Sequence, residues 1–374
     1  MEYVQSNERV AEVAEALRGA DLVAADTEAA GYHRYRDRVC VLQLATRTAT
    51  YVLDTLAVTD LSPLAGLFAD PAREVVFHDA DYDLRLLSRD FGLAVRGLFD
   101  TKIAAEFLGE RAIGLASVAE KYLGVRLEKK HQRADWAQRP LPEDLLEYAA
   151  ADTRHLPTLR DRLRTELEMR GRLAWAEEEF RIAEAQVWSA PAQDGKGYLR
   201  LKGTRDLKPR QLAALRELFQ WRERTAEERD VAPFRVLTNE AMIELARQMP
   251  ASTAALARLR AVPRSVAERF GEELLDALQR ARALPEAELP VRPRGPRRPP
   301  PDPEFEALVE RLRAARDAAA DTLGLDRGFL MPRAQLEELA RHKPRTESAL
   351  LGIPGVRRWQ VEAAGRQLLE ALAG

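Results

Sequence analysis

A short apolar run that ends in paired acids constrains this chain most. Leu22 to Ala29 reads LVAADTEA. Such a run predicts a buried strand whose period-2 geometry sends Asp26 and Glu28 to the same side at its end. Carboxylates so placed repel one another. Keeping both ionised requires a cation, and hard oxygen donors at this spacing suit a divalent metal such as Mg²⁺ or Mn²⁺. The other reading of the tripeptide alone is a strand ending in a solvated acidic turn, so the decision rests on what lies downstream.

At 374 residues the chain is long enough for two or three domains, each with its own core. Its formal net charge of −2 conceals an asymmetry: residues 191–374 carry a net +6 and the remainder a net −8. An acidic front half joined to a basic back half points to a metal-holding or anion-processing unit tied to a polyanion-binding unit. The alternative is a chance imbalance spread over many helices. Cys40 is the only cysteine, which excludes an intrachain disulfide and fits a reducing compartment. No apolar stretch approaches the length of a membrane span, and the first residues lack a basic, then apolar, leader pattern. The expected location is the cytoplasm.

Val10, Val13, Ala14 and Leu17 recur at helical spacing before the Asp26 strand, with Gly19 as a stop. After it, Val39–Leu44 and Thr50–Leu53 predict an antiparallel pair beside the first strand. Glu74–Phe77 predicts a further strand, running into a helix that ends near Gly92. Helical patterns follow over Thr101–Leu108, over Leu115–Leu123 and from Glu143 onward. Strands first and helices later predict a layered α/β or α+β fold with a mixed sheet.

Two more acids extend the pattern. Asp83 falls in the first turn of the helix after Glu74–Phe77, where the helix dipole favours an acid in any case. Asp152 lies four residues after Tyr148, on the same helical face. Taken in order, Asp26-x-Glu28, Asp83 after FHDADY, and Tyr148-x-x-x-Asp152 resemble the three exonuclease motifs of the DEDD superfamily, in its tyrosine-containing branch. The intervening GLFDTKIAAEFLG, GLASVAEKYLGV and DWAQRPLPEDLLEYAAADT are similar to the ribonuclease D family.

The resemblance implies a ribonuclease H-like exonuclease domain with a mixed sheet and two divalent metal ions, Mg²⁺ or Mn²⁺. It implies that Asp26 bridges both ions, that Glu28 and Asp152 complete one site, and that Asp83 supports the other, partly through water. Tyr148 would orient the attacking water. It need not act as the base, because a tyrosine pKa near 10 is poorly matched to neutral pH, whereas a divalent metal acidifies the water itself.

Gln43, in the apolar LQL, either faces the substrate end of the sheet or is a hydrogen-bonded core amide. His78 either touches the site or is structural. Asp100, which begins a helix, is most simply an N-cap. Trp136 and Arg139-Pro140 serve packing or substrate approach.

The exonuclease domain is expected over residues 1–190, a first helical domain over 198–284, a Pro- and Arg-rich linker over 285–303 and a second helical domain over 304–374. The linker composition predicts an extended, semi-rigid spacer. Sliding the chain by 94 residues superposes Leu245-Ala246-Arg247 on Leu339-Ala340-Arg341, Pro250 on Pro344, Val262 on Val356 and Leu274-Leu275 on Leu368-Leu369. That period indicates a duplicated small helical domain, and the pattern resembles the HRDC domain of ribonuclease D and RecQ-type helicases. The second copy keeps a glycine-containing turn in LLGIPGVRRWQVE. The first has Ala257 and Ala261 where the second has Leu351 and Gly355.

By resemblance these all-α bundles grip structured nucleic acid. Lys202, Arg205, Lys208 and Arg210 at the entrance of the first copy, and Arg357 and Arg358 at the turn of the second, are the expected phosphate contacts, with Gln43 and His78 nearer the site. The implied function is a 3′-5′ exoribonuclease that trims precursor tRNA or other structured RNA to nucleoside 5′-monophosphates. The expected partner is RNA, with no membrane, and the chain is expected to act as a monomer. The alternatives are a DNA 3′-5′ exonuclease and a nucleic-acid-binding scaffold without catalysis, although all four carboxylates and Tyr148 are in place.

Overall fold

The computed structural model describes residues 1–128, 130–186, 188–190, 194–292 and 302–374. Residues 293–301 of the Pro- and Arg-rich stretch expected to be an extended spacer lie outside the described residues. The chain divides into two compact units, one of Met1–Glu28, Val39–Trp188 and Pro299–Gly374, the other of Ala29–Arg38 and Ser189–Arg298. The second helical domain therefore belongs to the same unit as the sheet.

In chain order the elements begin β1 (Glu2–Val4), α1 (Asn7–Leu17), β2 (Leu22–Ala29), β3 (Val39–Ala45), β4 (Thr50–Asp54), α2 (Ala65–Phe68), β5 (Glu74–Phe77), α3 (Asp81–Phe91) and β6 (Leu98–Asp100). The helices α4 (Thr101–Phe107), α5 (Leu115–Leu123), α6 (Glu143–Arg154), α7 (Leu156–Met169) and α8 (Leu173–Glu184) follow. The six strands lie in the order β1-β4-β3-β2-β5-β6. β3 and β4 are antiparallel as expected, while β1 pairs with β4, β2 with β5, and β5 with β6 in parallel. β2 is thus central, and its apolar half, Leu22 to Ala25, is fully buried, which places Asp26 and Glu28 where the core gives way to solvent. Among the described residues no helix is long and apolar enough to cross a membrane.

The helical domains repeat one plan. The first comprises α9 (Pro209–Glu228), α10 (Pro233–Val236), α11 (Asn239–Gln248), α12 (Thr253–Leu256) and α13 (Arg264–Ala283). The second comprises α14 (Pro303–Leu323), α15 (Arg327–Leu330), α16 (Arg333–His342), α17 (Glu347–Leu351) and α18 (Arg358–Ala373). Equivalent positions do the same work. Ser252 and Thr346 cap α12 and α17 by accepting the N–H groups of Ala255 and Ala349, each at 3.2 Å. Met249 and Lys343 end α11 and α16 in the left-handed region, at φ 45° and 46°.

Arg222 and Arg316, both buried, tie each long first helix to backbone carbonyls of the segment that follows, those of Leu237 in one copy and of Arg327 and Met331 in the other. The turns differ where the sequences do. Gly355 sits at φ 85°, a conformation costly to a residue with a Cβ. The first copy, with Ala261 there, keeps the backbone bonds from Val262 to Leu259 and from Leu259 to Leu256, at the same 3.1 Å as those from Val356 to Ile353 and from Ile353 to Leu350.

The second copy docks on α4 and α8 through an aromatic cluster. Phe107 meets Phe329 and Trp359 edge to face, at centroid distances of 4.9 and 4.8 Å, and Phe329 stacks on Trp359 at 5.5 Å. The Glu178 carboxylate caps α18, accepting the N–H groups of Arg358 at 2.8 Å and Trp359 at 2.9 Å. The Trp359 indole donates to Glu179 at 2.7 Å. Trp359 is 1% exposed. Trp359→Ala should therefore cost about 3–5 kcal/mol of stability, measured as a lower urea midpoint, and an unchanged midpoint would show that this cluster does not hold α18.

Candidate active site

Three elements converge on the end of β2. β2 brings Asp26 and Glu28, α3 brings Asp83 in its first turn, and α6, which packs against β3 and β4, brings Tyr148 and Asp152. One carboxylate oxygen from each of Asp26, Glu28 and Asp152 lies within 4.8 Å of the other two. Asp83 stands slightly apart in role. Its Oδ1 accepts from the Thr27 backbone N–H at 3.1 Å and from the Thr27 hydroxyl, which locks it between β2 and α3. Thr27 is therefore a positioning residue that sequence reasoning missed, since a partner 56 positions away leaves no local signal.

The electrostatics follow from this crowding. Burial pushes the Asp26 carboxyl well above its ordinary range, and the charges of Asp83 and Asp152 push it further. Glu28 is raised by burial and then by Asp26, Asp152 and Asp83. Burial raises Asp83 to about 7 and Asp152 to about 7, the latter in spite of a hydrogen bond from Tyr148. Among the described residues, no cationic side chain figures in what acts on Asp26, Glu28 or Asp152. An all-oxygen donor set without a protein cation fits a hard divalent metal, with Asp26, Glu28 and Asp152 as its holders.

Burial and the nearby charges of Asp152, Glu28 and Asp26 drive the Tyr148 phenol upward, so its hydroxyl stays protonated and donates to Asp152. The Tyr148 ring is walled by His131, edge to face at 5.5 Å, and by Trp136, tilted at 6.1 Å. Arg139 fixes that wall. Its guanidinium binds both oxygens of the buried Asp54, with Nε at 2.7 Å and Nη2 at 2.6 Å, and donates to the carbonyls of Trp136 and Cys40 at 2.8 and 2.9 Å. Burial would raise the Asp54 carboxyl, but hydrogen bonds from Arg139 and Tyr3 hold it below its ordinary value. Of the two roles left open for Trp136 and Arg139, the structure selects packing.

The other residues singled out in the sequence land elsewhere, and each for a physical reason. Gln43, opposite Val52 on β3, is 0% exposed, with neither amide atom bonded to another described residue, so it presents nothing to a ligand outside. His78 shares a 2.9 Å hydrogen bond with Thr101, a structural tie between the ends of β5 and β6. Asp100 is the expected N-cap of α4 and also accepts from the N–H groups of Asp79 and Ala80.

Arg210 donates to the carbonyls of Ala281, Arg282 and Leu284 at the end of α13, and Arg357 pairs with Glu179 at 3.3 Å. Both are thereby committed to packing within their own unit. Arg358, 78% exposed, makes a 3.3 Å pair with Glu362, although its backbone is held by Glu178. Lys202, Arg205 and Lys208 are exposed at the entrance of the first helical copy.

A raised acid stabilises the folded state only while it keeps its proton. Asp152 holds its proton in the folded chain up to about pH 7, whereas an unfolded aspartate ionises near 4. Its contribution is thus complete below about pH 4 and lost as pH rises through 7. In EDTA, Asp152→Asn should be more stable than wild type by on the order of 2 kcal/mol at pH 8 and by much less at pH 5. Thermal melts at the two pH values test this, and a difference independent of pH would contradict it.

Comparison with known proteins identifies the family. A 3′-5′ exonuclease family model matches residues 1–168, and an HRDC domain model matches residues 211–278 and 305–372. The chain is 36% identical to ribonuclease D of Gluconacetobacter diazotrophicus over 89% of this chain and 87% of that one. Among solved structures it is similar to Escherichia coli RNase D, described as an exoribonuclease involved in structured RNA processing. The TM-score is 0.69 at 29% identity, covering 99% of this chain and 98% of that one. A protein from Bifidobacterium adolescentis superposes with a TM-score of 0.79 at 26% identity, over 100% and 97% of the two chains.

Proposed function

The chain belongs to the ribonuclease D family of 3′-5′ exoribonucleases, and on that premise we propose that it trims the 3′ ends of precursor tRNA or other structured RNA in the cytoplasm, one nucleoside 5′-monophosphate at a time. The observation that carries this reading is the trio of carboxylate oxygens from Asp26, Glu28 and Asp152, gathered within 4.8 Å beside the Tyr148 hydroxyl. Exonucleases of this family depend on divalent metal, and we take the number here to be two, Mg²⁺ or Mn²⁺. When bound, such ions acidify the attacking water and stabilise the leaving 3′-oxygen.

The chain's own residues do the rest. Asp26, Glu28, Asp83 and Asp152 are held toward their protonated forms by burial, so a divalent cation gathered here would displace protons as it binds. Tyr148, held protonated and fixed by His131 and Trp136, offers a hydrogen-bond donor rather than a base. That suits it to orienting a water by its hydroxyl. Asp83, locked by Thr27, supports the cluster electrostatically from the side of α3. Lys202, Arg205 and Lys208 are the basic contacts that we retain for RNA phosphates, acting without sequence preference and weakening with salt. The chain is taken to work as a monomer.

The test is hydrolysis of a 3′-extended tRNA and of matched single-stranded DNA in Mg²⁺, Mn²⁺ or EDTA, with products resolved by length. Stepwise shortening of the RNA from its 3′ end is expected. It should stop in EDTA and in Asp26→Ala, and fall on the order of a hundredfold in Tyr148→Phe. DNA cut as fast as RNA would reassign the substrate. Full activity in Asp26→Ala would remove the site from the account.

A further inference from the structure

The segment that follows the catalytic strand does not fold with it. Ala29–Arg38 belongs to the unit of the first helical copy, only one residue beyond Glu28. It is a built loop. The N–H groups of His33 and Arg34 both donate to the Ala30 carbonyl at 2.8 Å, and Ala30 donates to the Arg38 carbonyl at 3.1 Å. A Cβ on Gly31 would come within 2.6 Å of the Asp37 carboxylate, so a larger residue there would make the Asp37 side chain shift.

This loop is stitched to the α9–α10 corner. The Ala232 N–H donates to the His33 carbonyl at 3.1 Å, the Tyr35 N–H donates to Asp230 at 3.3 Å, and Arg235 contacts the His33 ring. These ties fix two aromatic rings side by side. Tyr32 and Phe234 lie with centroids 5.3 Å apart, and the Arg235 guanidinium sits 5.8 Å from the Tyr32 centroid. Both rings nevertheless stay open to solvent, Tyr32 at 42% and Phe234 at 44%.

Large apolar rings left this exposed, on a backbone this firmly held, have a use outside the core. Arg34 and Arg36 lie beside Tyr32 in the chain and stand 3.7 Å from Asp230 and 3.8 Å from Glu227. Two half-exposed rings, a guanidinium over one of them and further arginines on the rim are groups that unpaired bases on a phosphate backbone bind to. Tyr32 is also four residues from Glu28, which bounds their separation at roughly 14 Å by chain length alone.

We propose that Tyr32 and Phe234, with Arg235, form a stacking platform for unpaired bases of the RNA strand whose 3′ end enters the site. The proposal rests on the exoribonuclease reading above. Stacking is tolerant of sequence because every base has a π-face. The platform would thus hold successive nucleotides of any identity as the strand shortens.

The test uses the full chain in EDTA with two fluorescent 12-nucleotide probes, an RNA and an abasic strand that keeps the phosphates but has no bases, read by anisotropy. Wild type should prefer the base-bearing probe. Tyr32→Ala and Phe234→Ala should each weaken binding of the RNA about tenfold while leaving the abasic probe within about twofold, and Tyr32→Phe and Phe234→Tyr should restore the preference. Equal losses on both probes, no loss on either, or failure of both aromatic-for-aromatic variants to retain binding would overturn the platform. Wild-type hydrolysis of the same RNA in Mn²⁺ separates the two readings. If wild type cuts the RNA and the alanine variants bind it normally, only the platform fails, whereas a wild type that neither binds nor cuts RNA overturns both.

Discussion

Mutual repulsion among carboxylates at the edge of the core is the constraint on which the rest of the structure depends. Asp26 and Glu28 sit where four fully buried residues of β2 end, and Asp152 is delivered against them by a helix whose small residues, Ala149 and Ala150, let it lie close to the sheet. No apolar core would place acids there for stability, because each is driven upward by burial and by its neighbours. The arrangement makes sense as a site completed by cations. The fold's task is to hold the acids in place while they are unfavourable.

Two sorts of clamp do that holding. Within the sheet layer, Arg139 and Asp54, 85 residues apart, join the segment that walls Tyr148 to the end of β4. Removing one partner of a buried pair of this kind leaves the other uncompensated, at a cost of about 3–5 kcal/mol. Farther out, the docked second helical copy is fixed by the Trp359 aromatic cluster and the Glu178 cap. The two copies of one small bundle have therefore diverged in use. One has its turn and its Arg357 committed to α8, and the other has its α9–α10 corner bound to the loop that leaves β2.

What could be read from the residues alone follows the same physics. The strand carrying Asp26 and Glu28, the first-turn Asp83 and the Tyr148–Asp152 pair were legible because period 2 and period 3.6 fix side-chain direction locally. The 94-residue repeat was legible because duplicated packing needs duplicated apolar positions. β1 and β6, three residues each, were not, since nothing but pairing with a neighbour makes a strand that short. Charge by itself misled at Arg210 and Arg357. A basic residue at a bundle entrance or turn reads as a phosphate contact, whereas here backbone carbonyls and Glu179 stand in reach and claim it. Gln43 misled in the opposite way, as a polar residue sealed under the sheet's cover. The Tyr32–Phe234 pair, drawn from segments 202 positions apart, had no signature in either stretch.

The central claim is that the acids are gathered for a divalent metal and hold protons until it arrives. Calorimetric titration of the metal-free protein with Mn²⁺, in two buffers of different ionisation enthalpy, counts the protons displaced at each pH. The account predicts saturable binding that releases protons at pH 6.5 and fewer at pH 8.5, with both binding and release abolished in Asp26→Ala. Absence of saturable binding, or binding that displaces no protons at either pH, would contradict it.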